Sequence, residues 1–199
     1  MDDMIPSPYP QYAMGTGYEG QQLGKIQPFT GASAKDRITV MFMQVAKSIR
    51  DPLARTIVAD ALRGCPERDD WCEVQAIYWA ARRQLRYTGD VRGVDTYQTL
   101  RRSWELGIAD CDDFTIAYIA LLVSAGFRAG AKIIAQDGKV FNHVYAVVEL
   151  PRSEPGENLD NRRIIPLDGT VPSAVPGWEA PKDQRKLEKI FWYAEQGWA

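Results

Sequence analysis

Three side chains have the types, and the segments around them the spacing, for nucleophilic chemistry at a carbonyl. Cys111 stands in "ADCDD", at the head of "FTIAYIALLV", whose almost unbroken apolar character predicts a helix buried on most sides and ended at Gly126. With Asp110 as its N-cap, Cys111 is the first helical residue, where the positive end of the helix dipole lowers a thiol pKa from about 8.5. Asp112 and Asp113 oppose that effect, but in the first turn their carboxylates are expected to bind orphan N–H groups and to point away from the sulfur. The same backbone N–H groups, that of Cys111 included, suit an oxyanion. A dipole alone seldom makes a nucleophile. A base is needed, and His143 is the only imidazole in the chain.

Counting along two strands supplies a partner for that base. If the strand from His143 to Leu150 pairs antiparallel with "RRIIPLD", Leu150 falls opposite Asn161 and His143 opposite Asp168. Opposed residues share a face and approach to about 5 Å between β-carbons, close enough for a carboxylate to hold an imidazole in one tautomer. Each residue alone has a structural reading: a cysteine in the core, a strand histidine, an aspartate in a turn. Together they match nucleophile, base and orienter.

The elements that must position them are helical first and extended afterwards. Ile38, Met41, Phe42, Val45, Ala46 and Ile49 predict one helix face over 34–49, and Asp51 with Pro52 starts a second helix that ends at Gly64. A third runs from Asp70 to Leu85 with Trp71, Val74, Ile77, Tyr78, Ala81 and Leu85 on one face, and a short one spans Tyr97 to Leu106. Then Asp137-Gly138 marks a hairpin between two β-rich runs. Val144, Ala146 and Val148 alternate with His143, Tyr145 and Val147 along its second strand. A last amphipathic helix is expected around Leu187 to Glu195, its aromatic residues packing inwards or facing a partner. This order, without βαβ alternation, predicts an α+β fold on a small antiparallel sheet. Residues 1–34, rich in Pro, Gly, Tyr and Gln, read as an extended arm ahead of a single domain over 35–199.

With 24 Lys and Arg against 26 Asp and Glu, dispersed along the chain, no basic stripe points to nucleic acid. The acidic, proline-interrupted start is unlike a signal peptide, and no apolar run reaches the length of a membrane span. These features predict a cytoplasmic protein. Its three cysteines suggest a reducing compartment rather than a disulfide framework. Cys65 and Cys72 with Cys111 and His143 make a formal Cys3His set but contain no C-x-x-C pair, so thiols rather than zinc ligands are expected, and no metal or cofactor.

The blocks "ADCDDFTIAYIALLVSAGFRAGAKII", "FNHVYAVVEL" and "IIPLDGT" resemble the three motifs of the transglutaminase-like superfamily of papain-type cysteine enzymes, and the likeness covers about 70–178. The cell-wall peptidase branch of papain-like enzymes fits less well, because its motif continues after the cysteine with Ser-Gly. The resemblance implies a papain/transglutaminase-like fold, Cys111 as nucleophile, His143 as base and Asp168 as orienting acid. It also implies a side-chain oxyanion helper, for which Gln98 and Trp104 are candidates. Ala109 stands where the family usually has glycine. Within the superfamily the chain is similar to small stand-alone members encoded among the structural genes of tailed bacteriophages. The expected function is cysteine-dependent acyl transfer on amide bonds of a protein or peptide substrate, with hydrolysis, deamidation and crosslinking all open. The alternative is a non-catalytic assembly protein, for example a virion component, whose arm binds a neighbour.

Overall fold

The computed structural model describes residues 33–89, 96–151 and 162–196. The arm, except for its last two residues, and most of the loops expected after Gly89 and Pro151 lie outside that set.

Helix α1 (Ala34–Arg50) opens on a capping box in which Ser33 and Asp36 exchange bonds, and it buries Ile38, Met41, Phe42, Val45 and Ala46, most of the expected face. Asp51 caps α2 (Pro52–Leu62) through the Leu53 N–H at 2.9 Å. Helix α3 (Asp70–Gln84) buries Val74, Ile77, Tyr78 and Ala81, while Trp71, expected on that face, stands 42% exposed at its first turn. Two short strands follow: β1 (Arg86–Tyr87) pairs in parallel with β2 (Ile108–Ala109), and α4 (Leu100–Leu106) lies between them in the chain, ended by Gly107 at φ +68°. Helix α5 (Cys111–Ser124) is buried from Asp113 through Leu122. It packs on α1, α2 and α3 and against the sheet, as an apolar circumference requires.

The sheet is antiparallel throughout, in the order β5-β4-β3-β6, with β3 (Ala129–Ala135), β4 (His143–Leu150), β5 (Arg163–Leu167) and β6 (Leu187–Trp192). Val144, Ala146, Val148 and Leu150 join the helical core on one face. Ile134, Tyr145 and Val147 form a smaller cluster on the other, with Ile190 and Trp192 against it. The α+β class, the hairpin and the strand alternation are therefore as expected.

Two expectations are corrected. The helix predicted over Leu187 to Glu195 is strand β6 through Trp192, followed by one 3-10 turn at Ala194–Gln196. Its residues 190–192 include a β-branched side chain and two aromatics that fit a pleated edge, and pairing with β3 satisfies the N–H and C=O groups along an edge that a helix here would leave open. Its aromatics do pack: Trp192 lies under the Arg128 guanidinium at 4.2 Å, and Tyr193 meets Phe42 edge-on at 5.5 Å. The second correction concerns the cysteines. Cys65 and Cys72 are joined by a disulfide, because the turn from α2 to α3 brings their Cα atoms to 5.6 Å. The inference from unpaired thiols to a reducing compartment loses its basis, and neither sulfur is free to ligate zinc with Cys111. Among the described residues no helix is long and apolar enough to cross a membrane.

Candidate active site

Cys111 occupies the first position of α5, and its placement is held by a relay of polar contacts. Asp110 caps the helix, accepting the Asp113 N–H at 2.9 Å. Asp113, buried to 1% exposure, accepts two bonds from Gln98, from the backbone N–H at 2.7 Å and the side-chain amide at 2.6 Å. Gln98 leads into α4, where the Leu100 N–H donates to Ser48 Oγ at 2.9 Å and Arg101 makes a two-pronged contact with Asp51 at 2.6 Å on each arm. The junction of α1 and α2 thus fixes α4, and α4 fixes the start of α5.

The surroundings of the thiol differ in part from the expectation for its neighbours. The Asp113 carboxylate reaches out of its own helix to bind Gln98. Asp112 does not turn away from the thiol, since its Oδ1 lies 3.9 Å from Sγ. Gln98 directs its amide to Asp113, and Trp104 is partly buried against the hydrophobic core. Ala109 is buried in the same core, 1% exposed.

His143 opens β4. Its Nε2 lies 2.8 Å from Asp168 Oδ2. The pairing of β4 with β5 sets Leu150 opposite Arg163 and Ala146 opposite Leu167, two residues away from the expected register. A shift of two preserves the faces, because side chains repeat every second residue. The ladder stops at Leu167, so Asp168 reaches His143 from the turn beyond the strand rather than from a directly opposed position. Thr170 donates to Asp168 Oδ1 through its backbone N–H at 2.9 Å and its hydroxyl at 2.7 Å. Burial opposes the charge on Asp168, yet the bonds from His143 and Thr170 outweigh it and hold the carboxyl below its ordinary value. An ionised carboxylate only accepts, so the neutral imidazole carries its hydrogen on Nε2 and its lone pair on Nδ1.

The turn bearing Asp168 is clamped from α3. Tyr78 and Arg82 stand one helical turn apart. The Tyr78 hydroxyl lies 3.0 Å from the Asp168 carbonyl and 2.8 Å from that of Ala174. Arg82 donates to the Gly169 carbonyl and, at 3.1 Å, to that of Pro172. Burial pushes the Tyr78 phenol up to about 12, so it remains a donor through the alkaline range. Tyr78→Phe is expected to destabilise the fold by about 1–2 kcal/mol, since the one phenolic hydrogen that two buried carbonyls share is lost. Urea unfolding measures this, and an unchanged midpoint would mean the turn is held by Arg82 alone. Sequence reasoning missed Tyr78, Arg82 and Thr170. Only Thr170, two residues after an aspartate, carried a local signal, that of a side-chain-capped turn.

Cys111 and His143 line one cleft of about 350 Å3, together with Asp112, residues of α1 and the loop between β3 and β4. The cysteine is partly exposed and unpaired by any disulfide. Among the described residues no cluster of three or more His, Cys, Asp or Glu is arranged to hold a metal. No family model matches the chain, and neither a curated protein nor a solved structure matches it.

Proposed function

We propose that the chain is a cysteine-dependent acyl-transfer enzyme of the transglutaminase-like kind, acting on amide bonds. The observation that carries the reading is a thiol at the start of a buried helix sharing a cleft with a histidine whose far nitrogen is fixed by a buried aspartate. The thiol proton passes to His143 Nδ1 as Sγ attacks the amide carbonyl carbon. N–H groups of the α5 first turn face the developing oxyanion. The carbon–nitrogen bond breaks as the imidazolium returns its proton to the leaving nitrogen, and a thioester remains on Cys111. Water or a second amine, deprotonated by His143, then attacks the thioester carbonyl and releases the thiol. Asp168 stabilises the imidazolium throughout.

Alkylation by limiting iodoacetamide across pH tests this directly. Cys111 should label selectively well below its ordinary thiol pKa of about 8.5, and His143→Ala should return its profile to that of an ordinary thiol. Labelling of wild-type Cys111 that only rises above pH 8, unaltered by His143→Ala, would sink the reading. Peptide mapping assigns the modified site, which the Cys65–Cys72 disulfide simplifies.

A further inference from the structure

The bond to Asp168 fixes one atom of the base, Nε2, and leaves open how the ring is turned. Nε2 lies nearer than Nδ1 to the Cβ–Cγ axis about which the ring rotates, so a rotation that the bond tolerates displaces Nδ1 further. The torsion itself is soft, as for any planar ring joined to a tetrahedral carbon. A second contact must set the direction of Nδ1, the nitrogen that takes the thiol proton in the proposed mechanism. Tyr145 lies two residues after His143 on the same face of β4, and the two ring centroids stand 5.7 Å apart with the planes inclined at 42°. That is contact distance for aromatic rings. Tyr145 is in turn held at its far end. Its hydroxyl donates to Glu179 Oε1 at 2.6 Å, and Lys132, directly opposite on β3, donates to the same oxygen at 2.6 Å. Arg185 pairs with Oε2 of Glu179 at 2.7 Å, and Glu188 bridges Lys132 and Arg185 at 2.9 and 2.5 Å. Burial, and after it the bond to Glu179, holds the Tyr145 phenol well above its ordinary value, so the hydroxyl stays a donor. With Lys132 and Tyr145 buried, the network keeps one arrangement, since removing a member would strand a buried charge or donor.

We propose that Tyr145 is a positioning residue for the base: its ring sets the rotation of the His143 imidazole, and Glu179, clasped by Lys132 and Arg185, sets Tyr145. The proposal rests on the acyl-transfer reading for what that rotation is used for, but its own content is the order of the imidazole. The segment 178–185, which brings Glu179 and Arg185 to Tyr145, thereby belongs to the machinery that aims the base.

His143 is the only histidine, so the full chain made with isotope-labelled histidine gives one set of ring signals in nuclear magnetic resonance. Relaxation of the ring carbons reads the motion of the imidazole on the picosecond-to-nanosecond scale. In wild type the ring should be as ordered as a rigid backbone, with an order parameter of about 0.85, and Tyr145→Leu should lower it below about 0.6. Tyr145→Phe, which keeps the ring and loses the anchor, should fall between. Val147→Ala is the control for packing. Val147 is fully buried in the same cluster as Tyr145, so its truncation should lower the urea midpoint and leave the imidazole ordered. Alkylation of Cys111 by iodoacetamide below pH 8 should slow about tenfold in Tyr145→Leu and stay within about twofold of wild type in Val147→Ala. Four results would each overturn the proposal: an imidazole already mobile in wild type, one as ordered in Tyr145→Leu as in wild type, equal loosening by Val147→Ala, or a His143-dependent alkylation that Tyr145→Leu leaves unchanged. Should Tyr145→Leu fail to fold, Tyr145→Phe decides by the same criteria. Ring order is read without reference to the thiol, so a Cys111 that labels like an ordinary thiol counts against the acyl-transfer reading and not against this one.

Discussion

Asp168→Asn should lower turnover of an amide or thioester substrate by about 10⁴-fold while leaving the fold in place. The two side chains have the same shape, so the effect comes from hydrogen-bond polarity. Asp168 Oδ1 receives two donors from Thr170, its backbone N–H and its hydroxyl. That position must therefore remain an acceptor, and the carbonyl oxygen of an asparagine would take it. Its NH2 would then stand where Oδ2 now lies 2.8 Å from His143 Nε2. An amide donating there forces Nε2 to accept and moves the imidazole hydrogen to Nδ1, the nitrogen that takes the thiol proton in the proposed mechanism. Steady-state kinetics beside Cys111 alkylation check the outcome. Turnover within tenfold of wild type would mean that Asp168 is a turn residue without influence on the base.

The same substitution has a readout in stability. The folded-state pKa of Asp168 is depressed, so its ionised form contributes stability above the unfolded value of about 3.9, and that contribution is lost as pH falls through the lower folded value. Urea midpoints of wild type should thus fall between neutral pH and pH 3 by more than those of Asp168→Asn. A difference of the opposite sign would show burial, the opposing influence, to be the stronger.

Gly169→Ala is expected to give the largest stability loss of any single methyl added at this site. A β-carbon on Gly169 would stand 2.4 Å from Cδ1 of Phe114 and 2.8 Å from Cε1 and Cγ of the same ring. Phe114 cannot move aside cheaply. It is 1% exposed, lies three residues after Cys111 on α5, and stacks on Tyr118 at 5.9 Å. Forcing a methyl into such packing costs about 1–3 kcal/mol, and each kcal/mol lowers the melting temperature of a chain this size by about 2–4 °C. Relief by moving the 168–170 turn would draw Asp168 from His143, so kcat should fall along with Tm. A double-mutant cycle with Phe114→Leu isolates the clash: the two changes should compensate in part, whereas strict additivity would place the strain elsewhere.

How far these features were legible in the sequence differs from element to element. The apolar run after Cys111 announced a buried helix, because an amphipathic surface helix cannot be apolar around its circumference, and α5 is buried accordingly. The alternation along 143–148 assigned faces correctly for the same kind of reason, and those assignments survived a two-residue error in register. The residues of β6 misled because their apolar positions fit a helix nearly as well as a strand. What decides is the free edge of β3, more than 50 residues away in the chain.

The sequence by itself determined the order and kind of most elements, the helix cap at Asp110, and the meeting of one histidine with one aspartate, since local propensity, side-chain period and residue chemistry are properties of neighbours in the chain. Only the tertiary structure decided the rest. It turned Gln98 onto Asp113, set the Asp112 carboxylate toward the Cys111 sulfur, joined Cys65 to Cys72, and set Tyr78, Arg82 and the space left by Gly169 around the Asp168 turn. Most of these pairings span segments distant in the chain, and those depend on distances that only the packing of the helices against one another and against the sheet fixes.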